Sequence, residues 1–166
     1  DQRKDLALLK STNKFKNFSK IRRGNFLKEG DKVVIAGYPS ISNEFGKLKV
    51  VQSEVTDIQA SFGNEESIEF TDSVRQGNSG GPLLDSSGNV AGVIVGLKEY
   101  YVYNISNPME KHFKERTGVA IPLNDLKNFL LRHNVSYKTS ASYGNFTKSH
   151  ITNIAKKIIV NIQCIQ

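Results

Sequence analysis

Residues 76–83 read Gln-Gly-Asn-Ser-Gly-Gly-Pro-Leu. A serine set among glycines is a nucleophile candidate, and each neighbour has a job. Gly77 lets the chain turn sharply and leaves its N–H free to face an anion. Gly80 and Gly81 leave room for another main chain to approach. If Ser79 attacks a carbonyl, the amides of Gly77 and Ser79 can point at the oxyanion that develops. The plainer alternative is a glycine-rich turn between two strands, since Gly and Ser are common turn residues. A bare Gly-x-Ser-x-Gly would not separate the two. Seven specified consecutive positions favour the nucleophile.

The flanking chain sets the class. Residues 32–39, Lys-Val-Val-Ile-Ala-Gly-Tyr-Pro, form a strand that Pro39 ends. Residues 47–60 alternate through Leu48, Val50, Val55 and Ile58 as one long strand, or two with a bend. Gly63-Asn64 signals a tight turn, and residues 67–71 form a further short strand. Residues 83–85 and 90–97 read as strand, turn, strand. Residues 99–104 continue with three tyrosines, residues 105–116 read as a polar loop or short helix, and residues 118–122 form a last strand. Leu123, Leu126, Phe129 and Leu130 share one face of a helix over 123–134, with Asn124 as its N-cap. Residues 136–149 are a Ser/Thr/Asn-rich linker or disordered. Ile151, Ile154, Ala155, Ile158, Ile159 and Ile162 recur at helical spacing, with a strand over 158–164 as the alternative.

Composition narrows the function classes. A chain of 166 residues can bury a real core. Mean hydropathy is −0.39. No apolar run approaches the length of about 20 residues that a membrane span needs. The only cysteine, Cys164, excludes an internal disulfide. The net charge of +7 would suit nucleic acid, and Phe15, Phe18 and Phe26 fall among lysines and arginines. No nucleic-acid motif accompanies them, so we expect a solvated basic surface. Neither metal nor cofactor is implied, because no His/Cys/carboxylate cluster has ligand spacing.

The string from Gly77 to Leu83 resembles the trypsin-like serine proteases, and among them the Do-type (high-temperature-requirement) proteases. Two further stretches carry the resemblance. Asp5-Leu6-Ala7-Leu8-Leu9-Lys10 is similar to the family's strand bearing the triad aspartate, and residues 92–96 and 118–122 are similar to the strands walling its specificity pocket. The resemblance implies an all-β fold: the C-terminal barrel of a chymotrypsin-like protease, with the last strand of the first barrel, a closing helix, and a short helical or extended tail. It implies a protease domain over residues 1–133, leaving 134–166 as linker and amphipathic tail.

The resemblance also assigns roles. Ser79 is the nucleophile, Asp5 orients a histidine, and the Gly77 and Ser79 amides form the oxyanion hole. Ser73, Val95, Gly96 and Ala120 line the specificity pocket. Neutral Ser73 on its floor disfavours a basic side chain there, because it offers a buried cation no counter-charge. Neutral Asn78 excludes the zymogen ion pair with a new N-terminal amine.

A triad needs a base for Ser79, and no histidine precedes Asp5. We therefore expect the first barrel and its histidine to be missing from this chain, which alone would be inactive and would expose an apolar face. His112 and His133 read as surface residues, and His150 as part of a solvated tail. An α/β-hydrolase built on Ser79, Asp125 and His133 or His150 would need a helix directly after the serine, where Gly-Pro and a hairpin pattern stand instead. The expected activity is peptide-bond hydrolysis on polypeptide substrates, in the periplasm or secreted by resemblance. The alternatives are an inactive peptide-binding module of the same fold and a basic nucleic-acid binder.

Overall fold

The structure is a computed structural model. It describes residues 1–24, 27–39, 46–62, 65–71, 74–141 and 144–162, with only the backbone at 59–62, 65 and 108. Ser73, the Gly63-Asn64 turn, Phe26 and Cys164 lie outside the described residues.

Six antiparallel strands close a barrel: β2 (Lys32–Gly37), β3 (Lys49–Phe62), β4 (Glu65–Thr71), β5 (Pro82–Asp85), β6 (Val90–Asn104) and β7 (Asn107–Pro122). They run in the order β5-β2-β3-β4-β7-β6, and β5 pairs with β6 to shut the ring. Two short strands, β1 (Ile21–Arg22) and β8 (Thr139–Ser140), extend β6 in parallel. The helices are α1 (Leu123–Arg132) and α2 (Lys148–Ile158).

Alternation along β2 explains its unbroken apolar run. Val33 and Ile35 point into the barrel, where they meet Val55, Phe70, Leu83 and Ile94. Val34 and Ala36 point outward and meet Ile151 and Ala155 of α2. A strand covered on both faces shows no period-two pattern. Burying one such side chain is worth about 1.5–3 kcal/mol. Thr147 starts α2, its side chain accepting from the His150 amide. The tail is thus helical as far as Ile158, short of the expected Ile162, and turns extended at Ile159; α2 packs on the outer face of β2 and β3 and on Leu84 of β5.

β3 carries the expected bend as two register shifts, between Val55 and Asp57 and between Asp57 and Ala60. Four expectations fail. The Leu-rich segment at 4–10 forms no strand: residues 2–5 make a turn, and Leu8 and Leu9 are exposed. Short Leu runs become strands only where an unpaired edge receives them. Residues 107–116 are neither loop nor helix but the first part of β7, paired with β6 as far as Asn104. This hairpin projects past the barrel and is largely exposed, so it needs no apolar alternation; Tyr101 packs edge-on against Phe113 across it. Asn124 caps nothing, because α1 begins one residue earlier, after Pro122 and without a side-chain cap. Part of the expected linker, Thr139–Ser140, is β8.

Candidate active site

The loop that carries the nucleophile candidate lies between β4 and β5 and is tied down by its own backbone. The Asn78 amide donates to Arg75 O (2.9 Å), and the Gly81 amide donates to Asn78 O (2.9 Å). Two more bonds lash the loop to β6: Gly80 N–H to Ile94 O (2.8 Å) and Ile94 N–H to Gly81 O (2.9 Å). Asn78 is buried, and its Oδ1 accepts from the Arg75 amide at 2.8 Å. The side chain expected to be free of a zymogen ion pair therefore closes the turn instead.

Two glycines make this packing possible. A Cβ on Gly81 would sit 2.6 Å from Ala36 O and 2.8 Å from Asn78 O. A Cβ on Gly37 would meet Asn78 Nδ2 at 2.8 Å. Gly77 takes φ 92°, a conformation that side chains resist.

At the tip Ser79 is exposed, and its hydroxyl donates to Val95 O at 2.7 Å. The amides of Gly77 and Ser79 donate to no other group among the described residues. Two free N–H dipoles beside an exposed hydroxyl suit a developing oxyanion. The loop forms part of a cavity of about 510 Å3, shared with Tyr38, Pro82 and Val93. Ser19 also lines it; its hydroxyl is buried and unpaired among the described residues.

The other candidates fall elsewhere. Asp5 sits in the amino-terminal turn at φ 49°, exposed, its carboxylate making no hydrogen bond or ion pair among the described residues. It lines a separate cavity of about 250 Å3 with Val95 and Ala120. Asp5 and Ser79 thus reach the same residue, Val95, from different cavities, and no hydrogen bond joins them among the described residues. Gly96 pairs with Val119 and borders open space.

None of the three histidines lines the Ser79 cavity. His112 is on the exposed hairpin, 3.4 Å from Glu110. His133 closes α1 and packs on Phe129 with ring centroids 4.6 Å apart. His150 lies on α2 against Phe146.

Among the buried polar groups that the sequence does not announce, one gathers the densest network of described side chains. Glu69 on β4 is 2% exposed. It accepts from Lys98 Nζ (2.7 Å), the Tyr100 hydroxyl (2.6 Å) and Thr117 Oγ1 (2.8 Å). Burial alone would raise its pKa, but the bonds from Lys98, Tyr100 and Thr117 and the Lys98 charge outweigh burial and lower it. The bond to Glu69 raises Lys98 in turn. The signal was present on β6, where Lys98 and Tyr100 stand two apart and so share a face.

Against known proteins, the chain is 37% identical over 97 residues to a probable periplasmic serine endoprotease, DegP-like, of Pseudomonas fluorescens, which spans 56% of this chain and 19% of that protein. It is 36% identical over 95 residues to an uncharacterised protein of Sinorhizobium fredii, y4bJ, across 57% of this chain and 15% of that one. The chain thus spans less than a fifth of these relatives. Among solved structures, the HtrA-type protease AlgW in a serine-to-alanine form with a tripeptide superposes with a TM-score of 0.50 at 20% identity, over 71% of this chain and 36% of that one. An M. tuberculosis protease in its active form gives 0.48 at 21% identity, over 73% and 50%. The first of these likenesses shows the chymotrypsin-like barrel fold. The family model for trypsin-like peptidase domains matches residues 1–93, more than half of the chain, and the chain therefore belongs to that family.

Proposed function

We propose that the protein is a serine endopeptidase that cleaves polypeptides through an acyl-enzyme. The observation that carries this reading is Ser79 exposed on a cavity rim beside two amides with no other partner among the described residues. Ser79 Oγ attacks the scissile carbonyl as a base takes its proton. The carbonyl oxygen becomes an oxyanion held by the Gly77 and Ser79 N–H groups. The C–N bond breaks, and the base hands the proton to the leaving amine. Water then repeats the sequence on the acyl ester and frees Ser79.

The base is a histidine supplied from outside these 166 residues, and Asp5 orients it once both are in place. Ser73, Val95, Gly96 and Ala120 form the specificity pocket in that assembled state. Residues 1–133 are the protease unit and 134–166 its linker and tail. The name of the DegP-like relative supports a periplasmic setting.

One observation favours the alternative, an inactive peptide-binding module: the Ser79 proton rests on a backbone carbonyl. Labelling with a rhodamine fluorophosphonate separates the two. The chain expressed with its natural upstream coding sequence should label on Ser79 and lose labelling in Ser79→Ala. Residues 1–166 alone should label at least about 100-fold more slowly, the lower end of what a general base contributes. No labelling of the extended chain would leave the binding module.

A further inference from the structure

The Ser79 cavity has a second wall, made by the chain's own tail. Ile158, Ile159, Val160, Asn161 and Ile162 line it one after another. The seat of α2 fixes their position: Ile151 and Ala155 are buried against β2, β3 and Leu84, and Ile154 packs so closely on Gly88 that a Cβ there would lie 2.6 Å from its Cδ1. The Ile159 N–H donates to Ala155 O as the last helical bond, and Ile159 itself turns extended, at φ −101° and ψ 135°.

In an extended chain, successive side chains point to opposite sides. Consecutive residues line one cavity when the main chain itself faces it. Among the described residues, the backbone groups of Val160, Asn161 and Ile162 make no hydrogen bond. Following extended Ile159, residues 160–162 therefore present main-chain groups without a hydrogen bond among the described residues, across the cavity from the loop that carries Ser79.

We propose that residues 160–162 bind an extended, uncharged, apolar stretch of polypeptide by strand addition and lay it across Ser79. Main-chain bonds to such an edge supply affinity, and side-chain contacts supply selectivity. The gap decides between a wall and a plug. Ligand clefts typically enclose roughly 300 to roughly 1000 Å3. The cavity, at about 510 Å3, falls inside that range, and Ser79 stays exposed with the tail in place. The lining decides the ligand. No described residue on the cavity is charged, although the protein carries +7, and Val160, Ile162, Pro82 and Val93 offer apolar surface. The choice of a peptide as ligand rests on the peptidase reading; the binding itself needs no turnover.

Fluorescence anisotropy with the fluorescein-labelled hexapeptide Ala-Val-Thr-Val-Ala-Leu tests this. Ending the chain after residue 158 keeps α2 and removes the edge. Asn161→Pro keeps the tail and removes one edge donor. We expect Kd to rise about tenfold in the truncated chain and about threefold in Asn161→Pro, with unchanged far-ultraviolet circular dichroism. Replacing both valines of the probe by lysine should also weaken binding about tenfold. Unchanged affinity in both variants would overturn the proposal, and tighter binding after truncation would make the tail a plug. Peptide binding through the tail without acylation of Ser79 would leave the edge standing and remove the peptidase reading. Acylation with tail-independent binding would do the reverse.

Discussion

The nucleophile loop and the amino-terminal turn each carry a catalytic candidate, yet the chain treats them differently. Around Ser79, four backbone hydrogen bonds and two glycine contacts leave the loop one arrangement. Around Asp5, nothing among the described residues holds the carboxylate. If both residues act as proposed, the barrel alone holds the serine half of the site and leaves the carboxylate half unheld among the described residues. Glu69 sharpens the contrast: a carboxylate that belongs to the barrel is buried and has three donors.

Three substitutions test this contrast. The largest effect should come from Lys98→Met, which strips the cation from buried Glu69 and should cost about 3 kcal/mol of unfolding free energy, read by urea denaturation. The wild-type pH profile follows from the same network. Glu69 titrates below its usual 4.5, so its contribution is full above pH 4.5 and is lost as pH falls through the lowered value. Lys98 titrates above 10.5, so its contribution is full below pH 10.5 and is lost as pH rises through the raised value. Lys98→Met should shrink both limbs. A wild-type profile that is flat in acid would contradict the network.

Gly81→Ala should follow, at about 1–3 kcal/mol, because its Cβ meets two backbone oxygens that have no side-chain freedom to yield. It should also slow fluorophosphonate labelling of the upstream-extended protein. A neutral outcome would mean that the loop is not locked by the barrel. The smallest effect belongs to Asp5→Asn, within about 0.5 kcal/mol of wild-type stability, as for other surface changes that touch nothing. A cost well outside that range would show that Asp5 has a structural partner and erase the contrast.

The two regions also differ in how far the sequence reveals them. The nucleophile loop is legible because its chemistry is local: a turn, a hydroxyl and close backbone approach all demand particular residues in a row. The tail helix is legible because Ile151, Ala155 and Ile158 repeat at helical spacing against one surface. Leu8 and Leu9 mislead, since their composition suits a strand while their exposure reflects the lack of one to pair with. The outer hairpin misleads in the opposite way. Lys111, Lys114 and Arg116 look like loop because neither face of that ribbon is buried, yet cross-strand pairing with β6 makes it sheet. Glu69 is only half legible: Lys98 and Tyr100 share a face of β6, but the carboxylate and Thr117 come from two other strands that the pairing brings beside them.

The most direct test is acyl transfer to Ser79. The upstream-extended protein is mixed with p-nitrophenyl acetate, quenched in acid and digested with trypsin, and the peptide covering residues 76–98 is weighed by mass spectrometry. We expect one acetyl group on Ser79, formed in a burst and absent from Ser79→Ala. An unmodified peptide, or acetyl groups spread over lysines with Ser79 bare, would contradict it.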